Sequence, residues 1–152
     1  MAHGLRTRAR LGALVALLAC EEAWDLDVFV MVAPSHPRTS SAFQVFVAFG
    51  DDDAGWAVFR VGYACAGEPF ETTARFTTAF PGVAGAEAET VEGWTEPLPG
   101  GVAPFCGALP VPERVEPAPP PASAREAELV TPASGCGGVV SREATLELDA
   151  GS

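Results

Sequence analysis

Residues 43–65 read FQVFVAFGDDDAGWAVFRVGYAC, two strand-like runs on either side of a polar turn. In the first run, phenylalanine and valine occupy every second position, which is the spacing of side chains on one face of a strand. Gly and Asp at residues 50–55 supply the unusual backbone angles and local hydrogen bonds of a turn. The stretch predicts a β-hairpin with strands over residues 43–49 and 56–65.

Further strand patterns lie on both sides of this hairpin. Residues 24–32 alternate and then become continuously apolar, and residues 70–80 and 139–149 alternate with a period of two. Residues 126–131 fit a short additional strand, whereas residues 83–96 fit either a helical turn or a loop. Five or six strands without a long helix predict an all-β fold, either a small antiparallel β-sandwich or an open barrel.

Prolines are concentrated in the second half of the chain. Nine of the 14 prolines lie in residues 97–121. Because proline has no backbone N–H, such a density excludes a central strand. We therefore expect residues 97–124 to be irregular. Within them, residues 111–124 are expected to adopt an extended, polyproline-type conformation that crosses the domain surface or links to the last strand.

The N-terminal 20 residues combine basic side chains with a short apolar run. Arg6, Arg8 and Arg10 precede apolar residues 11–19, which is the pattern of a secretory signal. The run is far shorter than the roughly 20 residues that cross a bilayer as a helix. Ordinary signal cleavage requires a small residue three positions before the cut, and Leu17 is too large for that position. An ordinary secretory signal and a buried N-terminal helix are the two alternatives to the lipid-modified signal described next.

The motif Leu17-Leu18-Ala19-Cys20 resembles the lipobox of bacterial lipoproteins. This resemblance covers only the first 20 residues. It implies that residues 1–19 are cleaved as a signal peptide, that Cys20 carries acyl chains, and that residues 20–152 form a single β-rich domain. It also implies a lipid-anchored location in the bacterial cell envelope, at the outer membrane or the periplasmic face. Two or three acyl chains would hold the protein firmly, whereas one chain alone binds only marginally.

The chain after the signal is strongly acidic. Lysine is absent, and only six of the nine arginines follow residue 19, together with all 20 acidic residues. This balance argues against nucleic-acid binding and against electrostatic adhesion to anionic lipids. The membrane is therefore expected as a partner only through the acyl chains. An acidic surface that maintains solubility is the alternative to a cation-binding role.

Three cysteines remain once Cys20 is lipidated. We expect a disulfide between Cys106 and Cys136, because both lie in loop-like sequence and cysteines outside the cytoplasm usually pair. It would close a loop of roughly 30 residues and contribute on the order of 3 kcal/mol. Cys65 would then be a buried thiol within a strand. A zinc site is not expected, because the chain has no Cys-x-x-Cys pair.

Few residues are candidates for catalysis or metal binding. His36 is the only histidine after residue 19, and we interpret it as a loop residue because no Gly-x-Ser-x-Gly elbow accompanies it. The acids at residues 51–53 lack the ligand pattern of an EF-hand and fit a solvated turn, a weak calcium site being the alternative. Asp25 and Asp27 share one strand face, where two acids are ordinary. The sequence predicts no catalytic residue, cofactor or metal.

These observations favour a non-enzymatic, lipid-anchored envelope protein that binds another envelope protein or a polymer. Phe46 and Trp56 fall on the second face of the hairpin, where they would form an exposed docking surface or be buried in a two-layer core. One alternative function is a membrane-proximal hydrolase that uses His36. Another is an accessory subunit of an envelope assembly, in which residues 110–124 wrap around a partner.

Overall fold

The computed structural model describes residues 24–33, 42–53, 55–77, 90–130 and 140–149. These residues form eight strands, and none of them lies in a helix. No described segment is therefore a long apolar helix of the kind that spans a membrane. The strands are β1 (Trp24–Ala33), β2 (Ala42–Asp51), β3 (Gly55–Cys65), β4 (Phe70–Thr77), β5 (Thr90–Pro97), β6 (Gly107–Val115), β7 (Arg125–Glu128) and β8 (Val140–Asp149).

The strands form two sheets that pack face to face. The larger sheet has the order β6-β3-β2-β5-β7, and the smaller sheet has the order β4-β1-β8. All neighbouring strands are antiparallel except β1 and β8, which are parallel. The predicted all-β sandwich is confirmed, and it is not closed into a barrel. The described strands outnumber the expected five or six, because β5 occupies a region expected to be a helical turn or loop and β6 lies in the proline-rich stretch.

The core lies between the two sheets, and the predicted hairpin is the centre of the larger one. β2 and β3 pair from Ala42 opposite Cys65 to Asp51 opposite Gly55. Three rings, those of Phe49, Phe59 and Phe76, meet edge to face with centroids 4.9 to 6.5 Å apart. β1 faces them with every second residue, all fully or almost fully buried: Leu26, Val28, Val30 and Val32.

Glycine permits a close approach of three strands at one end of the sandwich. A Cβ atom at Gly62 would lie 2.5 Å from the carbonyl oxygen of Gly107 and 2.7 Å from the ring of Phe70. Both distances are shorter than a carbon atom tolerates, and the first contact is to backbone that cannot rotate away. Gly62 therefore brings β3 against the start of β6 and the start of β4.

β6 is an edge strand that accommodates prolines by bulging. Arg60 pairs with Glu113 and Gly62 pairs with Ala108, so residues 109–112 together stand opposite one residue of β3. Two of those four residues are prolines, which have no N–H to donate to a strand ladder. The expectation that residues 97–124 are irregular throughout was therefore wrong for Gly107–Val115, because the argument from density applies to central strands and not to an edge.

The segment that follows β6, residues 116–124, is here called the strap. It connects β6 and β7, which lie at opposite edges of the larger sheet. Because the smaller sheet covers the inner face, the strap must cross the outer face. Four strand spacings amount to about 19 Å, and nine residues in a polyproline-type conformation reach about 28 Å. Val115 and Ala124, at its two ends, pack against a cluster on that face.

Candidate functional site

Three of the residues singled out in the sequence, Cys20, His36 and Cys136, lie outside the described residues. The acids at residues 51–53 lie exposed at the turn between β2 and β3, as expected. Asp52 accepts a hydrogen bond of 3.2 Å from the indole N–H of Trp56. The arrangement is that of a solvated turn in which the Asp52 carboxylate also binds a side chain of β3.

The structure contains a disulfide between Cys65 and Cys106, with the two Cα atoms 5.6 Å apart. The predicted pairing of Cys106 with Cys136 is therefore wrong, and Cys65 is not a free thiol. The reason is the strand pairing of β3 with β6. Tyr63 lies opposite Gly107 in this antiparallel pair. Cys65, shortly after Tyr63, must therefore lie close to Cys106, directly before Gly107. Sequence reasoning missed this because it did not predict a strand at β6.

A carboxylate approaches this disulfide. Ligand atoms of Cys65, Glu68 and Cys106 lie within 4.8 Å of one another. Zinc binds cysteine as a thiolate, and in this structure the two sulfur atoms are bonded to each other. The group therefore offers one carboxylate and no thiolate, and it is not a metal site in the oxidised protein.

The disulfide lies at the end of the sandwich opposite the start of β1. Residues 66–69 join the end of β3 to the start of β4, and Phe70 at that start pairs with Val32 near the end of β1. We call this end the distal end, and the end at which β1 begins the proximal end. Ten residues of β1 separate the two, a distance of about 30 Å. The turn after Asp51 lies at the proximal end.

The loop of residues 98–106, here called the distal loop, exposes apolar side chains. Val102 is 80% exposed and Phe105 is 42% exposed, although the rings of Phe105 and Tyr63 also meet edge to face with their centroids 5.3 Å apart. At the start of the loop, the N–H of Leu98 donates a hydrogen bond to the carbonyl of Ala42. At its end, Cys106 is bonded to β3. The loop is thus held at both ends while its apolar residues face solvent.

A depression of about 430 Å³ lies beside the distal loop. It is lined by Val102 and Ala103 of the loop together with Cys65, Glu68 and the start of β2 at Ala42. Among the side chains that line it, the Glu68 carboxylate is the charged one, and the others are apolar or belong to the disulfide. Loops held on a rigid scaffold are the usual carriers of binding residues, and this loop combines that support with apolar exposure.

The aromatic surface predicted on the hairpin is covered. Phe46 is only 6% exposed and stacks on Trp94 at a centroid distance of 5.6 Å. Trp56 packs against the same cluster at its margin, and so does Ala124 at the end of the strap. Phe46 is therefore buried and Trp56 partly buried, but in the cluster under the strap and not in the core between the two sheets, where burial was expected. An exposed docking platform on this face is excluded, because the strap and its flanking residues occupy it.

Arg60 links three strands on this covered face. The guanidinium of Arg60 lies 5.8 Å from the ring centroid of Phe46 and 5.9 Å from that of Tyr63. It donates to the side-chain oxygen of Gln44 at 3.1 Å and forms an ion pair with Glu113 at 2.8 Å. These contacts join β2, β3 and β6 on the outer face of the larger sheet.

The outward face of the smaller sheet, here called the acidic face, is open to solvent. Phe29 at its centre is 39% exposed. Asp27 binds Arg75 through two hydrogen bonds of 2.8 and 3.2 Å, and this carboxylate raises the pKa of the arginine above its ordinary value. Exposed acids lie on the flanking strands, Glu71 on β4 and Glu143 and Glu147 on β8.

Sequence reasoning did not single out Val102, Phe105 or Phe29. The continuously apolar end of residues 24–32 suggested burial on both faces, and the proline-rich stretch suggested no fixed structure at all. The usable signal was the group of apolar residues directly before Cys106, since a disulfide would fix them in place.

Comparison of the chain with protein-family models, with characterised proteins and with solved structures finds no match.

Proposed function

We propose that this protein is a non-enzymatic, lipid-anchored component of the bacterial cell envelope that binds another envelope protein through its distal loop. The observation that supports the proposal is the exposure of Val102 and Phe105 on a loop fixed by the Cys65–Cys106 disulfide. Exposed apolar side chains lose contact with water when a partner covers them, which favours association. A loop that is already fixed loses little conformational freedom on binding.

The position of the loop suits an anchored protein. Trp24 lies four positions after Cys20, and four residues span at most about 14 Å. Lipidation of Cys20 would therefore place the proximal end near the membrane. The distal loop, about 30 Å further along β1, would face away from the lipid towards soluble or opposing envelope proteins.

The anchor is tested by the intact mass of the chain isolated from its native envelope. We expect a polypeptide that begins at Cys20 and carries an acyl adduct. A Cys20→Ser variant serves as the control and should keep residues 1–19. A native chain that keeps those residues, or that begins at Cys20 without an adduct, contradicts lipid anchoring.

The binding surface is tested by affinity purification of the full-length tagged chain from that envelope. We expect Val102→Asp to abolish recovery of the partner, because the substitution places a charge in the apolar contact. Val111→Asp is the matched control, since Val111 is 61% exposed but lies in the bulge of β6. Recovery of the same partner with both variants, or its loss with both, contradicts binding through the distal loop.

The hydrolase alternative is separated from binding by His36→Ala. An envelope phenotype that is unchanged by this variant and lost with Val102→Asp supports binding. The reverse result supports a hydrolase that uses His36. We do not propose that residues 110–124 wrap around a partner, because this part of the chain forms most of β6 and the strap across its own larger sheet.

A further inference from the structure

The acidic face contains a second depression, which is separate from the distal loop. It measures about 400 Å³ and lies between β1 and β4. Phe29 lies opposite Thr73 and Met31 lies opposite Glu71 in the β1–β4 register, so these four side chains form its rim. The backbone at Val30 and Thr72, whose side chains fall on the opposite face, forms its floor. The site combines an aromatic ring, a thioether, a hydroxyl and a carboxylate.

We infer that this depression binds the arginine or lysine side chain of a basic polypeptide segment, a role that goes beyond the proposed function. Arginine and lysine have long aliphatic stems that cover apolar surface while the charged group remains at a polar edge. In this site the stem would lie along Phe29 and Met31. The cation would then lie within reach of the Phe29 ring and the Glu71 carboxylate, which are its two usual partners.

The protein already contains this combination of contacts once. On the outer face of the larger sheet, the guanidinium of Arg60 lies over the ring of Phe46 at 5.8 Å and pairs with Glu113 at 2.8 Å. The ring on β2 and the carboxylate on β6 therefore hold between them a guanidinium that comes from β3, the strand that separates them. Phe29 on β1 and Glu71 on β4 present the same two kinds of group on adjacent strands of the acidic face.

The charge of the acidic face selects the class of partner. On the strands that flank Phe29, exposed carboxylates are present at Glu71, Glu143 and Glu147. The one described cation on this face is Arg75, which is engaged with Asp27. The whole chain also carries a net charge of −11. The field therefore attracts a basic segment and repels phosphate groups and acidic peptides.

The inference is tested with a fluorescein-labelled peptide in which three arginines alternate with glycines. The peptide is added to the full-length chain in an uncharged detergent. The salt concentration is about 0.15 M, at which exposed charges are partly screened. Binding is measured by fluorescence anisotropy. We expect a saturable signal that weakens at least about tenfold when citrulline replaces arginine, since citrulline keeps the shape of the side chain but removes the charge. We also expect Phe29→Ala and Glu71→Gln each to weaken binding about threefold.

Two control variants make the result specific. Glu128→Gln removes the same charge from β7 in the other sheet, and Phe105→Ala removes a ring from the distal loop; both should bind the peptide like the unmodified chain. Phe29→Leu, which keeps apolar volume, shows whether a loss with Phe29→Ala arises from a damaged fold. Equal weakening by Glu71→Gln and Glu128→Gln would mean attraction to net charge alone and would overturn the inference. So would equal binding of the citrulline peptide, or no binding at all.

Discussion

Gly62 shows how one residue sets the geometry of the distal end. The absence of a side chain lets β3 lie against the carbonyl of Gly107, next to the cysteine that pairs with Cys65. Gly93 makes a different approach, in which the nearest atom to an added Cβ is a terminal methyl of Leu146 at 2.7 Å. A flexible methyl can move, whereas a backbone carbonyl cannot. The two glycines should therefore respond differently to the same substitution.

Gly62→Ala is expected to lower the free energy of unfolding by about 1–3 kcal/mol, because the new methyl group overlaps backbone and an aromatic ring in a packed region. Gly93→Ala, the matched control in the same sheet, is expected to cost less. Chemical denaturation of both variants measures the difference. A Gly62→Ala chain as stable as the unmodified one, or a larger loss for Gly93→Ala, would show that the close approach is not required.

Glu92 gives the fold a pH dependence. Partial burial raises the pKa of Glu92 above its ordinary value of 4.5, and the nearby carboxylates of Glu126 and Asp52 raise it further. The folded chain therefore holds this proton more tightly than the unfolded chain does. Stability from this residue is fully present below pH 4.5 and is lost as the pH rises through the raised pKa.

Glu92→Gln is accordingly expected to raise the melting temperature at pH 7, where the unmodified residue is ionised and disfavoured by its surroundings. The gain should shrink towards zero below pH about 4, where Glu92 is protonated in both states. Thermal unfolding across this pH range measures the effect, with Glu128→Gln as the control for an exposed glutamate. A lower melting temperature at pH 7 for Glu92→Gln would contradict the direction of the shift.

Among the larger elements, the disulfide links neighbouring strands that are distant in sequence, whereas the strap links consecutive strands that lie at opposite edges of one sheet. The disulfide joins residues 41 positions apart and fixes the distal loop against β3. The strap joins opposite edges of the larger sheet and covers the cluster around Phe46 and Trp94. Each therefore supports a surface: the first presents apolar residues to solvent, and the second removes aromatic residues from it.

Loss of the disulfide is expected to destabilise the fold and release the distal loop. For a closed loop of this length, the restriction of the unfolded chain corresponds to about 4 kcal/mol. The double variant Cys65→Ser/Cys106→Ser should show this loss in chemical denaturation and faster protease cleavage within residues 98–106. The unmodified chain under reducing conditions should match the variant. Unchanged stability on reduction would indicate that these cysteines are not paired in solution.

The cover provided by the strap is tested by Ala124→Asp. Ala124 packs against the cluster around Trp94, so a carboxylate there would be forced against aromatic rings without a partner. We expect a loss of about 1–3 kcal/mol and a red shift of tryptophan fluorescence. Ala122→Asp, at an exposed position of the same strap, is expected to stay within about 0.5 kcal/mol of the unmodified chain. Equal effects of the two variants would mean that the strap does not cover the cluster.

At the scale of the whole molecule, contacts along one side join the two sheets. The hydroxyl of Thr95 on β5 donates to the carbonyl of Asp149 on β8 at 3.1 Å, and Arg125 on β7 forms an ion pair with the Asp149 side chain at 3.2 Å. A bridge also pairs Val130 with Glu143. These contacts between the sheets therefore hold the distal loop, on the larger sheet, and the acidic face, on the smaller sheet, in fixed positions relative to each other.

The sequence predicts local structure well and distant pairing poorly. Alternation in residues 43–49 and the turn at residues 50–55 are properties of neighbouring residues, so the hairpin and the all-β class could be predicted. The parallel pairing of β1 with β8 joins opposite ends of the described chain, and no local pattern specifies it. The same holds for the disulfide, which depends on the register of β3 and β6. The candidate surfaces follow from these pairings and were missed with them.

The claim that the distal loop is the binding surface is tested most directly by photocrosslinking in living cells. A photoreactive phenylalanine analogue placed at Val102 is expected to give one discrete adduct with an envelope protein, and the adduct should disappear when Phe105→Ser is added. The same analogue at Val111, the exposed control position on β6, should give none. An adduct at Val111 and none at Val102 would contradict the claim.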